Sequence, residues 1–172
     1  VRDAVYVRDQ KWIRSLITAQ QRADHYNQRS AMVIITGKKG AGRKNTGNQL
    51  EMALFQSGKK VYFLGMGSVL YGVDADIKGQ EGVQHEHIRR FAEVSHILLD
   101  AGLILVVTAI ELTQSDLKLI QTVVGEDRIR TVWMGDEITT DIQVDLHLDD
   151  GGMDDSVVQI IQMMQQTGII FT

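Results

Sequence analysis

The passage that most constrains this chain runs from Met32 to Gln56, where the apolar run "MVIIT" ends at Gly37, the loop "GKKGAGRKN" follows, and a helical pattern begins. An unbroken apolar run of this length, without alternation, reads as a strand covered on both faces, as in a parallel sheet. The following stretch, Asn45 to Gln56, carries Leu50, Ala53 and Leu54 on one helical face. Glycines at 37, 40 and 42 allow backbone N–H groups to converge at the helix start, where the helix dipole favours negative charge. Strand, loop and helix in this order form a cradle for an anion.

The loop has the form of a phosphate-binding GxxxxGK[ST] sequence with its side chains exchanged. Gly37, Gly40, Ala41 and Gly42 keep the frame, but Arg43 holds the lysine position, Lys44 the hydroxyl position, and Asn45 comes next. Arginine clamps phosphate through a planar fork, and a protonated lysine cannot ligate Mg²⁺. Shifting the frame to give Lys44 the lysine role puts Asn45 or Thr46 near a metal, but it inserts a residue into a loop whose length sets its curvature. Two readings stand. One is capture of a phosphate or nucleotide by the loop amides and the basic cluster Lys38, Lys39, Arg43 and Lys44; the other is a glycine-rich turn with a solvated basic tip.

The rest of the chain repeats the alternation of apolar runs and amphipathic stretches, which predicts an α/β fold of three layers: a mostly parallel central sheet with helices on both faces. Residues 1–29 read as an N-terminal extension with a helix in "KWIRSLITAQQRADHY", and residues 30–172 as the domain proper. Strands are expected in "VYFLG", "LILVVTA", "RTVWM" and "VDLHL"; helices are expected over His85–Asp100, Ser115–Val124 and Asp154–Gln166, with Ser68–Gly82 as loop. Asp154 and Asp155 fall at the start of the last helix, where its dipole favours them.

A chain of 172 residues with 44% hydrophobic content is large enough for one core. It contains no Cys, which excludes thiolate chemistry and sulfur-based zinc sites and fits a cytoplasmic setting. The formal net charge of -4 gives no general case for nucleic acid. Its longest apolar stretch, Gly102 to Ile110, is too short to cross a membrane, and no charged-then-apolar leader opens the chain. An opening Val and the absence of Pro fit a piece cut from a longer polypeptide.

Other chemistry-bearing residues receive plainer readings. Arg89 and Arg90 are about 100° apart on a helix, so only one of them can point into a ligand cleft, with Arg89 the expected one and a helix-surface charge as its other reading. His85 and His87 lie on different helix faces and, with His96, make no metal shell. Asp74, Asp76 and Glu81 read as a solvated acidic loop, Trp133 as core, and His147 as a strand residue with a satisfied hydrogen bond. The group Asp149, Asp150, Asp154 and Asp155 around Gly151 and Gly152 lacks the alternation of a calcium loop and reads as a solvated turn.

From about Ile17 to Ile170 the chain resembles the adenylylsulfate kinases, P-loop enzymes of sulfate activation. "VIITGKKGAGRKN" stands where that family has an apolar strand and Gly-Leu-Ser-Gly-Ser-Gly-Lys-Ser-Thr. "GKKVYFLGMGSVLYGV" is similar to its Gly-x-x-Val-Tyr-Leu-Leu-Asp-Gly-Asp-Asn-Val-Arg-His-Gly-Leu, and "HEHIRRFAEVSHILLDAGLILVVTAI" to its Glu-Asn-Ile-Arg-Arg stretch and the strand that follows. The resemblance implies a P-loop NTPase-like fold, ATP or ADP with Mg²⁺ as cofactor, and adenylyl sulfate as ligand. It also implies a homodimer, and a sulfate adenylyltransferase domain in the same polypeptide. Nucleotide contacts carry over to Gly37, Gly40, Ala41, Gly42, Arg43, Lys44 and Asn45, and substrate-anion contacts to Arg89 and Arg90.

The departures fall on the chemistry. The family's Asp-Gly-Asp matches Gly65, Met66 and Gly67; its following Asn and Arg match Ser68 and Leu70; and its Asp-Arg pair matches Val83 and Gln84. The Phe that packs on adenine is Ala109, the adjoining Glu111 repels an anionic substrate, and the basic lid shrinks to "GDEITTDIQ". These departures imply a domain without catalytic or metal-ligating residues that acts as a binding, regulatory or assembly module. The alternative is a kinase working through a divergent site, with Arg43 in place of the loop lysine and Asp74 or Asp76 serving the metal.

Overall fold

A computed structural model describes residues 1–149 and 152–171. Asp150 and Gly151, part of the acidic turn expected above, lie outside the described residues. Five parallel strands, β1 (Ala31–Gly37), β2 (Val61–Gly65), β3 (Ile104–Ile110), β4 (Ile129–Met134) and β5 (Leu146–Leu148), lie in the order β2-β3-β1-β4-β5. The helices are α1 (Arg2–Lys11), α2 (Ala19–Tyr26), α3 (Arg43–Gln56), α4 (Gln84–Asp100), α5 (Gln114–Val124) and α6 (Met153–Gln166). Connections leave β1 toward one edge and return past it from β3 toward the other. The carboxyl end of β1 is therefore the switch point at which open parallel sheets bind their ligands.

The unbroken apolar runs are buried on both sides of the sheet, as their composition requires. Met32 and Ile34 of β1, Leu105 and Val107 of β3, and Trp133 of β4 meet Ile88 and Phe91 of α4 and Ile120 of α5. The alternate residues Val33, Ile35, Val106 and Val132 meet Leu50 and Leu54 of α3 and Ile160 and Met164 of α6. Period-two alternation thus fills two cores, one on each face, and makes three layers. Trp133 is wholly buried as expected, and its indole N–H donates to the Glu137 carbonyl at 3.0 Å.

The N-terminal region departs from the single helix expected over residues 11–26. Trp12 leaves α1 in an extended conformation, and α2 begins only after Thr18. The Thr18 hydroxyl accepts from the Gln21 N–H at 3.1 Å, while the Gln21 side chain accepts from the Thr18 N–H at 2.8 Å. This capping box satisfies two N–H groups that a continuous helix would pair differently, and it sets the boundary. Thr18→Ala is expected to cost about 1 kcal/mol. Amide exchange should quicken across residues 19–26 and stay unchanged in the sheet. Arg8 ties α1 to the body, bonding Glu93 at 3.0 Å and the Val123 carbonyl at 3.2 Å, and just beyond α2 buried Gln28 bridges the backbones of Lys60 and Gly102.

The stretch Ser68–Gly82 is also more ordered than a solvated loop. A 3₁₀ turn spans Met66–Tyr71 and buries Met66 and Val69, and Asp74 behind it is fully buried.

Candidate functional site

The site is built from the glycine loop outward. Gly37 ends β1 where it pairs with Met134 of β4, and a Cβ at position 37 would stand 2.3 Å from the Met134 carbonyl oxygen. Gly42 is the N-cap of α3 in the left-handed region, with φ of 84°, and no side chain caps the helix. The first N–H groups of α3 are therefore left for an incoming acceptor. The Ala41 N–H donates to the Lys38 carbonyl, as does Arg43 Nε at 3.4 Å, which lays the guanidinium along the loop. Partial burial lowers the pKa of Arg43, which remains a cation at neutral pH.

Two cavities flank this loop, and their charges differ. One of about 410 Å³ lies between Gly40–Gly42, Asn45 and Thr46 on one side and the ends of β4 and β5 on the other, and is bordered by Asp136 and Asp149. The other, of about 720 Å³, opens at the carboxyl ends of β2 and β3. Arg43 and Lys44 border it, with Phe63, Tyr71 and Leu112 as apolar wall and Gln84, His87, Thr108 and Asp116 as polar groups. Of the four basic side chains of the loop, Arg43 and Lys44 thus belong to the larger cavity, which has the size and mixed lining of a small-ligand site, while Lys38 and Lys39 line neither. Gly65, Gly67 and Leu70 line the same space, as does Ala109.

The expected inward orientation of Arg89 is not found. Glu86 captures both arginines: Arg89 Nη2 and Arg90 Nε each stand 2.8 Å from Glu86 Oε1, and neither arginine lines either cavity. These bonds, first from Arg89 and then from Arg90, hold the Glu86 carboxyl down to about 2. Arg90 also bonds Asp76 at 2.7 Å, which lowers the Asp76 carboxyl. From α4 it is Gln84 and His87 that reach the cavity. Asp74, expected in solvent, is buried instead, with its carboxylate 2.5 Å from His87 Nδ1 and 3.8 Å from Arg90. His87 and Asp116 went unread as site residues; Asp116 follows the cap residue Thr113 by three positions and looks like ordinary helix-start chemistry.

Elsewhere the plainer readings hold. His147 Nε2 lies 2.6 Å from the Gly135 carbonyl. His96 packs edge-on against Trp12, and burial foremost, with Arg8 nearby, lowers its pKa. The short segment after β4 is fastened down: the Thr139 hydroxyl donates to Glu111, the Thr140 hydroxyl to the Leu112 carbonyl, and Asp141 accepts from the Gln114 N–H. Glu111 is spent on that contact and lines neither cavity. No helix among the described residues is long and apolar enough to cross a membrane.

Comparison with known proteins agrees with this geometry. The sequence model of the adenylylsulphate kinase family matches residues 29–153. The adenylyl-sulfate kinase of Aeromonas hydrophila is 32% identical over 123 residues, covering 72% of this chain and 62% of that protein. The adenylyl-sulfate kinase of Escherichia coli O1:K1 is 29% identical with the same share of this chain and 61% of its own. The chain therefore spans about three fifths of the length of these relatives. Among solved structures, the Mycobacterium tuberculosis APS kinase CysC in complex with AMPPNP and APS superposes with a TM-score of 0.70 at 20% identity, over 80% of this chain and 99% of that one. A hexameric APS kinase from Thiobacillus denitrificans gives 0.70 at 18% identity, over 84% of this chain and 30% of the other; at such identities the likeness speaks for the fold. Strand order, glycine loop and a family match over most of its length together establish that this chain belongs to the adenylylsulphate kinase family.

Proposed function

We propose that this chain is a nucleotide-binding module of sulfate activation that captures adenylyl sulfate or a related adenine nucleotide without transferring a phosphoryl group. The observation that carries the reading is the division of chemistry around the loop. Arg43 and Lys44, in the first turn of the uncapped α3, border the larger cavity, the loop glycines Gly40 and Gly42 border the smaller one, and Gly65 and Gly67 stand where the family resemblance puts two carboxylates. Phosphoryl transfer needs positioning, a divalent metal and charge neutralisation together. The position that the loop pattern gives to a Mg²⁺-ligating hydroxyl holds Lys44, whose ammonium offers no lone pair. The divergent-site alternative is disfavoured by the engagement of Asp74 with His87 and of Asp76 with Arg90.

In this reading residues 30–172 are the functional unit and residues 1–29 an extension. It works in the cytoplasm, as a homodimer and beside a sulfate adenylyltransferase domain of the same polypeptide, regulating or assembling it. Arg89 and Arg90 are engaged by Glu86 and line neither cavity, so anion capture rests on Arg43 and Lys44. Calorimetric titration with adenylyl sulfate, phosphoadenylyl sulfate, ADP and ATP, with and without Mg²⁺, tests the core of it. Heat with adenylyl sulfate that does not require Mg²⁺ is the expected result; no heat with any of the four reduces the domain to a scaffold.

A further inference from the structure

His87 is 8% exposed and Asp74 is wholly buried, yet the two meet at 2.5 Å through His87 Nδ1. A buried carboxylate requires a donor, so Nδ1 carries the hydrogen that Asp74 accepts. The second carboxylate oxygen has no hydrogen bond among the described residues and stands 3.8 Å from Arg90. In the neutral ring this fixes the tautomer and leaves a lone pair on Nε2. Nε2 is not among the buried atoms that lack a partner, and His87 lines the larger cavity.

Anions belong at Arg43 and Lys44, and a flat ring fits the wall that includes Phe63 and Tyr71. A ribose joining two such groups offers hydroxyls within the same space. We propose that the Asp74–His87 pair anchors a ribose hydroxyl of the bound nucleotide, with Nε2 accepting the hydroxyl hydrogen and Asp74 acting as a positioning residue through the ring. This rests on the reading of the larger cavity as a nucleotide site.

Titration of the intact chain with adenylyl sulfate and its 2′-deoxy and 3′-deoxy analogues tests the anchor. One analogue should bind about five- to tenfold more weakly than adenylyl sulfate, the range of a single hydrogen bond to a neutral group. His87→Phe should abolish that difference, and His87→Gln, whose carbonyl also accepts, should keep most of it. Because His87→Phe leaves Asp74 unpaired and endangers folding, ¹⁵N spectra of the unsubstituted protein give a second readout. The ring should show a protonated Nδ1 and a bare Nε2, the latter shifting on addition of adenylyl sulfate. Binding with no penalty for either analogue, a penalty that survives His87→Phe, or an Nε2-protonated ring overturns the anchor alone. Absence of adenylyl sulfate binding overturns both the anchor and the site reading.

Discussion

Gly37→Ala is expected to destabilise the protein by about 4 kcal/mol, a loss that belongs to the exceptional range for single substitutions. The three atoms nearest the added Cβ all belong to the main chain: the Met134 carbonyl oxygen at 2.3 Å, its carbon at 3.3 Å and the Met134 nitrogen at 3.5 Å. No side chain can rotate aside to relieve this contact. Relief requires β1 and β4 to part at the register pair Gly37–Met134, next to the bond from the Glu111 N–H to the Gly37 carbonyl. Gly40→Ala is the control. Gly40 also has a positive φ, of 89°, but among the described residues nothing lies within 4 Å of its added Cβ, so it should cost only about 1–2 kcal/mol. Urea unfolding of the two variants separates them, and equal losses would refute the steric account of the loop entrance.

Replacing Arg43 and Lys44 together by alanine should weaken adenylyl sulfate binding about a hundredfold or more while leaving stability close to that of the parent chain. Charge-assisted bonds to an anion contribute about 1.5–3 kcal/mol each, and both side chains project from the first turn of α3 toward the larger cavity. Arg43→Lys alone should also weaken binding, because an ammonium cannot reproduce the fork of a guanidinium laid along the loop by its contact with the Lys38 carbonyl. Raising the salt concentration should narrow the gap between parent and double variant, since exposed cations are screened. Affinities within twofold of one another, measured calorimetrically at low salt, would mean that the backbone amides alone hold the ligand.

Much of the sheet was legible because its apolar runs are continuous, a signature of burial on both faces that tolerates few alternatives. The central strand, the loop and α3 needed only local pattern. What failed to read depends on partners distant in sequence. Asp74 sits among glycines and other acids, and its burial is explained only by His87 and Arg90, 13 and 16 positions away and brought close by the fold. The phase of α4 could not choose between Arg89 and Arg90, although Glu86, three and four positions earlier, was in view and takes both. Thr18 and Gln21 likewise carry the capping box that opens α2 and so divides the single helix expected over residues 11–26. The two cavities, and the gathering of basic side chains on one of them, arise from strand order and had no local signal.

The central claim is that the cradle binds but does not transfer. Incubating the protein with saturating ATP, Mg²⁺ and adenylyl sulfate and quantifying phosphoadenylyl sulfate chromatographically tests it most directly. The account predicts one adenylyl sulfate bound per chain and no product above the protein-free control. Phosphoadenylyl sulfate formed at an ordinary kinase rate of about 1–100 s⁻¹ would contradict it.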